Sequence, residues 1–507
     1  MIAEFAALLT PEQVERIHEA SLEILETVGL LVRHEKARKR LAQHGCQVDS
    51  ETHTVKFPRQ VIEHFRAAYP PTFTFHGRDP QFDRTIPNAG PLLMTGSSAP
   101  NIIDPVSGRE RRARSDDMAR IAHLFNELPA LDIFSVSILC DDARPGHFSL
   151  SRYYPALKNT VKPVRGNVPN VDEAQSILKL GFLVAGSEAA YRARPLITHH
   201  YCAVVSPLTM DFDSTELLMF LTEEGLPGYA TVVPNAGLTS PLTLMGTLAQ
   251  GNAEFLAWAT LKQMTRLGSE LIYSVLPTVA DMRTGAYAPG GIENGIMAMG
   301  FAQLARFYNV PSAGYVGLTN SKVVDAQAGF EKSLSPMASM LAGSDLLNMA
   351  GLIDALMTFD FAMLAIDNEI AEMIKRVKRG LEFSHENMAL NLIAEAGPGG
   401  MYIDKPHTLE RMKSCALLPE IADRDPRQTW EENDSLDAQA QAMRRVQEIL
   451  TGDNPAVFSP DVDARIRAEF EGLVAGDSLP PPGWKPPKLA RARDRRNRRQ
   501  RRRNSER

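Results

Sequence analysis

The chain has 507 residues, 44% of them hydrophobic and 23% charged, with a formal net charge of −6. This is the composition of a folded protein with a large core, and it excludes collagenous or wholly disordered chains. The longest uncharged stretch, 225–253, is broken by Pro227, Pro234, Asn235 and Pro241 and is not the continuous apolar run of ~20 residues that a membrane helix needs, and Met1-Ile2-Ala3-Glu4-Phe5 lacks the character of a secretory leader, so a cytoplasmic protein is expected.

Thr10-Pro11-Glu12-Gln13 reads as a capped helix start with a reciprocal Gln, and Val14, Ile17, Ile24, Leu25 and Val28 follow at helical spacing before Gly29. A second short helix is expected over 35–44, a strand at 54–57 and a further helix from Pro58 toward Ala68. Residues 1–120 therefore read as an α+β extension. After Ser115-Asp116-Asp117, a helix start with acids in its first turn, eight apolar runs alternate with helical stretches: 131–139, 161–168, 196–205, 229–233, 271–276, 310–316, 346–352 and 359–366. Several are continuous rather than alternating, as strands buried on both faces should be. The pattern predicts a TIM (β/α)8 barrel over 121–370, with an open doubly wound sheet as the alternative. Residues 371–475 read as C-terminal helices.

From Leu479-Pro480-Pro481-Pro482-Gly483 the chain becomes Pro-rich, then Arg-rich. Lys485–Arg507 carries twelve Lys/Arg against Asp494 and Glu506, near +10, which leaves the remaining chain near −16. Residues 476–507 are expected to be a disordered tail; contact with RNA, acidic lipid or an acidic partner is the functional alternative.

In such a barrel the site lies at the C-terminal strand ends. Those ends carry Asn167, His199-His200-Tyr201, Asn235, Tyr273, Tyr315 and Asn320, a collar of amides, imidazoles and phenols. His199 and His200 are adjacent and must point to opposite faces of a strand. Tyr201, Tyr273, Tyr287 and Tyr315 could line a cage for a quaternary ammonium, whose charge aromatic faces attract. Asp325, Gln327 and Glu331 either stabilise a helix start or hang over the mouth. Lys322 is a Schiff-base candidate only if a low-dielectric pocket removes its proton. The cysteines Cys46, Cys140, Cys202 and Cys415 share no CxxC spacing, and no dinucleotide loop, HExxH or GxSxG is present. No metal site is expected.

Several ordered segments resemble the trimethylamine/glycine betaine methyltransferase family: Asp104-Pro105, Lys162-Pro163, Ser206-Pro207-Leu208, Glu254, Asp281-Met282-Arg283-Thr284-Gly285, Asn320-Ser321-Lys322, Asp325-Ala326-Gln327-Ala328-Gly329, Glu331-Lys332, Asp367 and Asp423-Arg424. The resemblance spans roughly residues 10–470. It implies a barrel whose mouth binds a methylamine and docks a cognate corrinoid (cobalamin) protein, with the cofactor on the partner and none held tightly by this chain. Trimethylamine members carry pyrrolysine; this chain has only standard residues, and the equivalent position falls within 315–319. A quaternary ammonium loses a methyl group and leaves as a neutral amine without protonation, so the departure points to a betaine-like donor. A betaine carboxylate needs a cationic or amide partner, for which Arg165, Asn167, His199 and Asn320 are candidates. The implied roles are catalytic for Asp325, Gln327 and Glu331, and substrate-binding for Asn167, His199, Tyr201, Asn235, Tyr273, Tyr315 and Asn320. An inactive barrel that binds a betaine or the corrinoid protein, and a lyase using Lys322, are the rivals. Nucleic-acid binding and a membrane role are not expected, and homo-oligomerisation stays open.

Overall fold

The structure, a computed structural model, describes residues 4–474 and 476–485. Its centre is a parallel barrel of eight strands: β1 (Leu92–Thr95), β2 (Phe134–Ser135), β3 (Val164–Gly166), β4 (Ile197–Tyr201), β5 (Gly228–Val232), β6 (Tyr273–Val275), β7 (Ser312–Tyr315) and β8 (Leu346–Ala350). Neighbours pair in parallel from β2 round to β8 and on to β1. A parallel bridge between Met94 and Ile133 closes the ring. A helix follows each strand: α1 (Ser115–Asn126), α2 (Leu150–Asn159), α3 (Val171–Ala185), α4 (Phe212–Glu223), α5 (Leu244–Thr265), α6 (Ile292–Phe307), α7 (Ala326–Leu341) and α8 (Phe361–Arg379).

Six of the eight runs expected from the sequence contain these strands and a seventh, 229–233, overlaps β5. The eighth, 359–366, does not. Asp360 accepts a hydrogen bond from the Met363 amide at 2.7 Å and starts α8. The first residues of α8, Phe361 to Ala365, are all buried, and a buried helix carries the same unbroken apolar run as a buried strand. The missing strand is β1, which lies inside the segment read as the N-terminal extension. Its four residues, all buried, are too few to show a period.

The true extension begins as the sequence predicts. Helix Pro11–Glu23 has its reciprocal cap, with the Gln13 amide on the Thr10 hydroxyl at 3.3 Å and the Thr10 amide on the Gln13 side chain at 2.9 Å. It continues as a π-turn, Ile24–Val28, and stops at Gly29, whose φ is +77°. A small sheet follows, joining Leu30–Val32, Gln47–Val48 and Thr54–Lys56 to Thr209–Met210 from the loop after β4. A hairpin, Phe73–Phe75 with Arg84–Ile86, then corks the lower end of the barrel. Phe73, Phe75 and Ile86 form one buried cluster with Leu92, Met94, Ile133, Tyr229, Ile272, Ala313 and Leu346.

Beyond α8 the chain is helical, with Ala438–Leu450 packed on α8 and α1 and Pro460–Glu469 on α3. The disorder expected from residue 476 is corrected for 476–485. Gly476 accepts from Asn159 at 2.7 Å, Asp477 pairs with Lys158 at 2.7 Å, and Leu479 accepts from Arg120 at 2.8 Å. Proline-rich backbone needs no ladder of its own, and here helix side chains satisfy its carbonyls. The Arg-rich stretch, 486–507, lies outside the described residues. Among the described residues no helix is long and apolar enough to cross a membrane.

Candidate active site

Strand alternation divides each barrel strand between interior and helix layer. Leu92, Met94, Ile133, Tyr229, Ile272, Ala313 and Leu346 fix the interior face. Two residues further along, the same face carries Ser135, Thr231, Ser274, Tyr315 and Asn348, with Arg165 and His200 from β3 and β4 at the same level. This polar layer is connected. Arg165 Nε donates to the Tyr229 hydroxyl at 3.1 Å, Nη1 to Ser97 and Ser135 at 3.3 Å each, and Nη2 to the Tyr315 hydroxyl. His200 Nε2 lies 2.7 Å from the Thr231 hydroxyl, which lies 2.7 Å from that of Ser274. Burial, and then the Arg165 charge, hold His200 well below the ordinary imidazole range, so it is neutral. Burial pushes the Tyr229 phenol up to about 12, so it too is neutral.

Above this layer sits an apolar collar of Leu276, Tyr315 and Leu318, with Val233 and Leu356 packed against it. Leu356 arrives on an unusual turn: Asp354, Ala355 and Leu356 all have positive φ, at 48°, 51° and 77°. Such backbone costs roughly 1–2 kcal/mol per residue. Two bonds to the loop after β7 hold it, Asp354 amide to Ser321 carbonyl at 2.7 Å and Ala355 amide to Thr319 carbonyl at 2.8 Å. The mouth is thus a strained turn tied to a second loop, which places Leu356 in the collar.

The sequence profile described as trimethylamine methyltransferase (MTTB) matches residues 2–472. The chain belongs to the trimethylamine methyltransferase family. It is similar to a glycine betaine methyltransferase of Desulfitobacterium hafniense (strain Y51), 30% identical over 91% of this chain and 96% of the relative. It is also similar to the trimethylamine methyltransferase MttB of D. hafniense (strain DSM 10664 / DCB-2), 29% identical over 91% of this chain and 92% of the relative, and to MttB2 of Methanosarcina mazei, 29% identical over 92% and 94%. A dihydropteroate synthase from Thermus thermophilus aligns with 61% of this chain and 100% of its own, at 14% identity and a TM-score of 0.35. This trimethylamine methyltransferase family member is a methyltransferase.

The segments that resemble the methyltransferase family hold the mouth together. Glu254 of α5 accepts from Ser206 at 2.6 Å and from the Leu208 amide at 3.0 Å, fixing the loop after β4. Lys332 of α7 is buried 3.2 Å from Asp367 of α8 and donates to the carbonyls of Gly317 and Met349, both at 2.7 Å. Glu331 accepts from the Thr319 hydroxyl at 2.5 Å, the Asn320 amide at 2.9 Å and Gln327 at 3.0 Å. Gly290 makes room for this carboxylate, since a Cβ there would stand 2.5 Å from Glu331 Oε2. Asp325 caps α7, accepting from the Ala328 amide and the Ser321 hydroxyl at 2.9 Å each. Asp325 and Glu331 therefore bond the loop after β7 directly, and Gln327 acts on it through Glu331.

Three collar candidates are corrected. His199, Tyr201 and Tyr273 project from the outer faces of β4 and β6 into the helix layer. The Tyr201 hydroxyl accepts from Lys262 of α5 at 3.3 Å, and that of Tyr273 donates to Asn252 of α5 at 2.8 Å. Burial, then the Lys262 charge, lower the His199 imidazole to about 4. Of the four cage tyrosines only Tyr315 faces the interior; Tyr287 sits on the hairpin after β6. Asn167 accepts from Ser98 at 3.1 Å and the buried Arg152 at 3.0 Å. Asn235 starts the small sheet after β5, and Asn320 is pinned between Gly290 and Tyr287. Lys322 has a side chain 70% exposed and lies 3.6 Å from Asp354, which removes the desolvation a Schiff-base lysine requires. Reading the strand ends alone missed Tyr229, Ser97 and Asn348. Counting in twos from a known interior residue finds Asn348 two positions after Leu346. Among the described residues no cluster of three His, Cys, Asp or Glu could hold a metal ion.

Proposed function

We propose that this methyltransferase moves a methyl group from a small quaternary amine to the corrinoid of a partner protein seated on the barrel mouth. The observation that carries the reading is the layering of the barrel interior: a buried hairpin cluster below, a polar layer at mid-height and an apolar collar at the C-terminal strand ends. The corrinoid, held by the partner, would supply a reduced cobalt centre as the methyl acceptor. The residues of this chain fit such a partner: Leu238, Leu242, Met245, Met282, Val323 and Met357, all exposed, lie on the loops and helix starts around the mouth, an apolar rim of the kind that marks a protein interface.

The chain's own work is to hold and orient the amine. Leu276, Leu318, Val233 and Leu356 exclude water from the N-methyl groups, and the Tyr315 ring offers its face to the cation. A quaternary ammonium departs as a neutral amine, so no proton has to be delivered, and the interior layer holds hydroxyls and a neutral imidazole rather than a carboxylic acid. Asp325, Gln327 and Glu331 act, on this reading, by fixing the loop that carries Leu318. Ser97, Asn167 and Asn235 border the mouth.

The test is methyl transfer from a panel of quaternary and tertiary amines to reduced cobalamin, free and protein-bound, followed by the visible spectrum. Transfer from a quaternary amine supports the proposal. Transfer from tertiary amines alone overturns the substrate class. Binding without transfer to either form of acceptor overturns the enzyme reading for this panel and leaves a binding barrel.

A further inference from the structure

Arg165 is 0% exposed and has no carboxylate partner among the described residues. An ionised group taken from water without a counter-ion is heavily unfavourable. The other buried cations are answered differently. Lys332 has Asp367, Lys162 lies among the carbonyls of Phe125, Leu128 and Leu131, and Arg152 is held by those of Ile138, Val136 and Asn167. Arg165 has only four hydroxyls, two of them at 3.3 Å, and its Ser97 contact is half exposed at the mouth.

The acceptors around Arg165 have donors of their own left over. A phenol that accepts from a guanidinium must turn its hydrogen elsewhere. The Tyr229 hydroxyl has no acceptor among the described residues, and that of Tyr315 has only His200 Nε2 at 3.5 Å. Asn348 pairs with Tyr315 in strand register. It is 1% exposed, and neither its amide nitrogen nor its oxygen has a partner. Buried side-chain amides are rarely left so.

We propose that Arg165, Asn348 and the hydroxyls of Tyr229 and Tyr315 form an anion subsite at the floor of the chamber. It takes the carboxylate of a zwitterionic substrate and so aims the quaternary ammonium up through the collar toward the mouth. One ligand then satisfies the buried cation, the idle phenolic hydrogens and the orphaned amide together. A purely cationic amine meets Arg165 as a like charge in a low-dielectric space and is rejected. The inference rests on the preceding reading only in treating the barrel interior as the substrate chamber.

The test is calorimetric binding to the full chain of three probes: glycine betaine, tetramethylammonium, and 3,3-dimethylbutanoate, a carboxylate whose tert-butyl group has the shape of trimethylammonium but has no methyl to transfer. The two carboxylates should bind, and tetramethylammonium about 100-fold more weakly or not at all. Arg165→Gln should weaken both carboxylates by about 10- to 100-fold, the range of a charge-assisted bond. Asn348→Asp, which adds an acid to the same interior layer as Arg165, should abolish carboxylate binding and admit tetramethylammonium. Failure of wild type to bind either carboxylate, or equal binding of tetramethylammonium, overturns the subsite, and this panel decides even if a variant does not fold. Unchanged carboxylate affinity in a folded Arg165→Gln also overturns it. Because 3,3-dimethylbutanoate is read without any reaction, the subsite stands or falls separately from methyl transfer.

Discussion

His199 and His200 occupy consecutive positions on β4 and meet opposite surroundings. His200 looks into the polar layer and bonds to Thr231; His199 looks out at α5 with neither ring nitrogen partnered. Burial lowers the His199 imidazole to about 4 in the folded chain, against about 6.5 when unfolded. A group with a depressed folded value stabilises fully above the unfolded value, and that stability is lost as pH falls from about 6.5 toward 4. His199→Leu should therefore be close to neutral at pH 7.5 and should spare roughly 2 kcal/mol of the loss at pH 5. Denaturant melts at both pH values check this; equal losses in wild type and variant would refute it. The sequence required the two imidazoles to diverge but could not say which faced in, because that depends on where the strand starts in the barrel's stagger. For the same reason Tyr201 and Tyr273 read as collar residues, and Asn348, inside an apolar run, was passed over.

At the scale of elements, the mouth is built from loops bonded to one another and to the barrel helices α5 and α7. Glu331 is the hub of the loop after β7, accepting from Thr319, Asn320 and Gln327. Glu331→Ala leaves the Asn320 amide and the Thr319 hydroxyl without this acceptor, a local cost of about 1–3 kcal/mol. Amide exchange in 316–325 should accelerate by about 5- to 160-fold, the same energy expressed as a rate, and substrate affinity should fall while global unfolding moves little. Unchanged exchange would show that α7 does not hold this loop. The elements themselves were legible where a period or a cap was long enough to read. The Thr10 cap, the Gly29 stop and seven strand-bearing runs stand as the sequence reads them. Residues 359–366 did not, because burial on all sides erases the difference between periods of 2 and 3.6. The mouth's architecture was illegible for another reason: the positive φ of Asp354, Ala355 and Leu356 is imposed from outside by Thr319 and Ser321, and no Gly or Asn announces it.

For the whole molecule, composition misjudged the length of the ordered chain. Residues 476–485 cap α1 and α2 through Asn159, Lys158 and Arg120. A chain ended after Lys485 keeps each of these bonds. One ended after Val474 loses them and should be less stable by about 1–3 kcal/mol; identical melts for the two truncations would refute the docking. The hairpin at the other pole has a larger reach. Phe73 and Phe75 fill the lower end of the barrel, so the substrate space proposed above the polar layer is reached from the mouth, where the partner proposed to receive the methyl group would sit. On the proposed function, association follows an order: the amine boards first, the partner seats second, and the spent amine departs only after the partner has gone. Excess partner should trap empty barrels, so initial rates should pass through a maximum as its concentration rises, with more amine shifting that maximum upward.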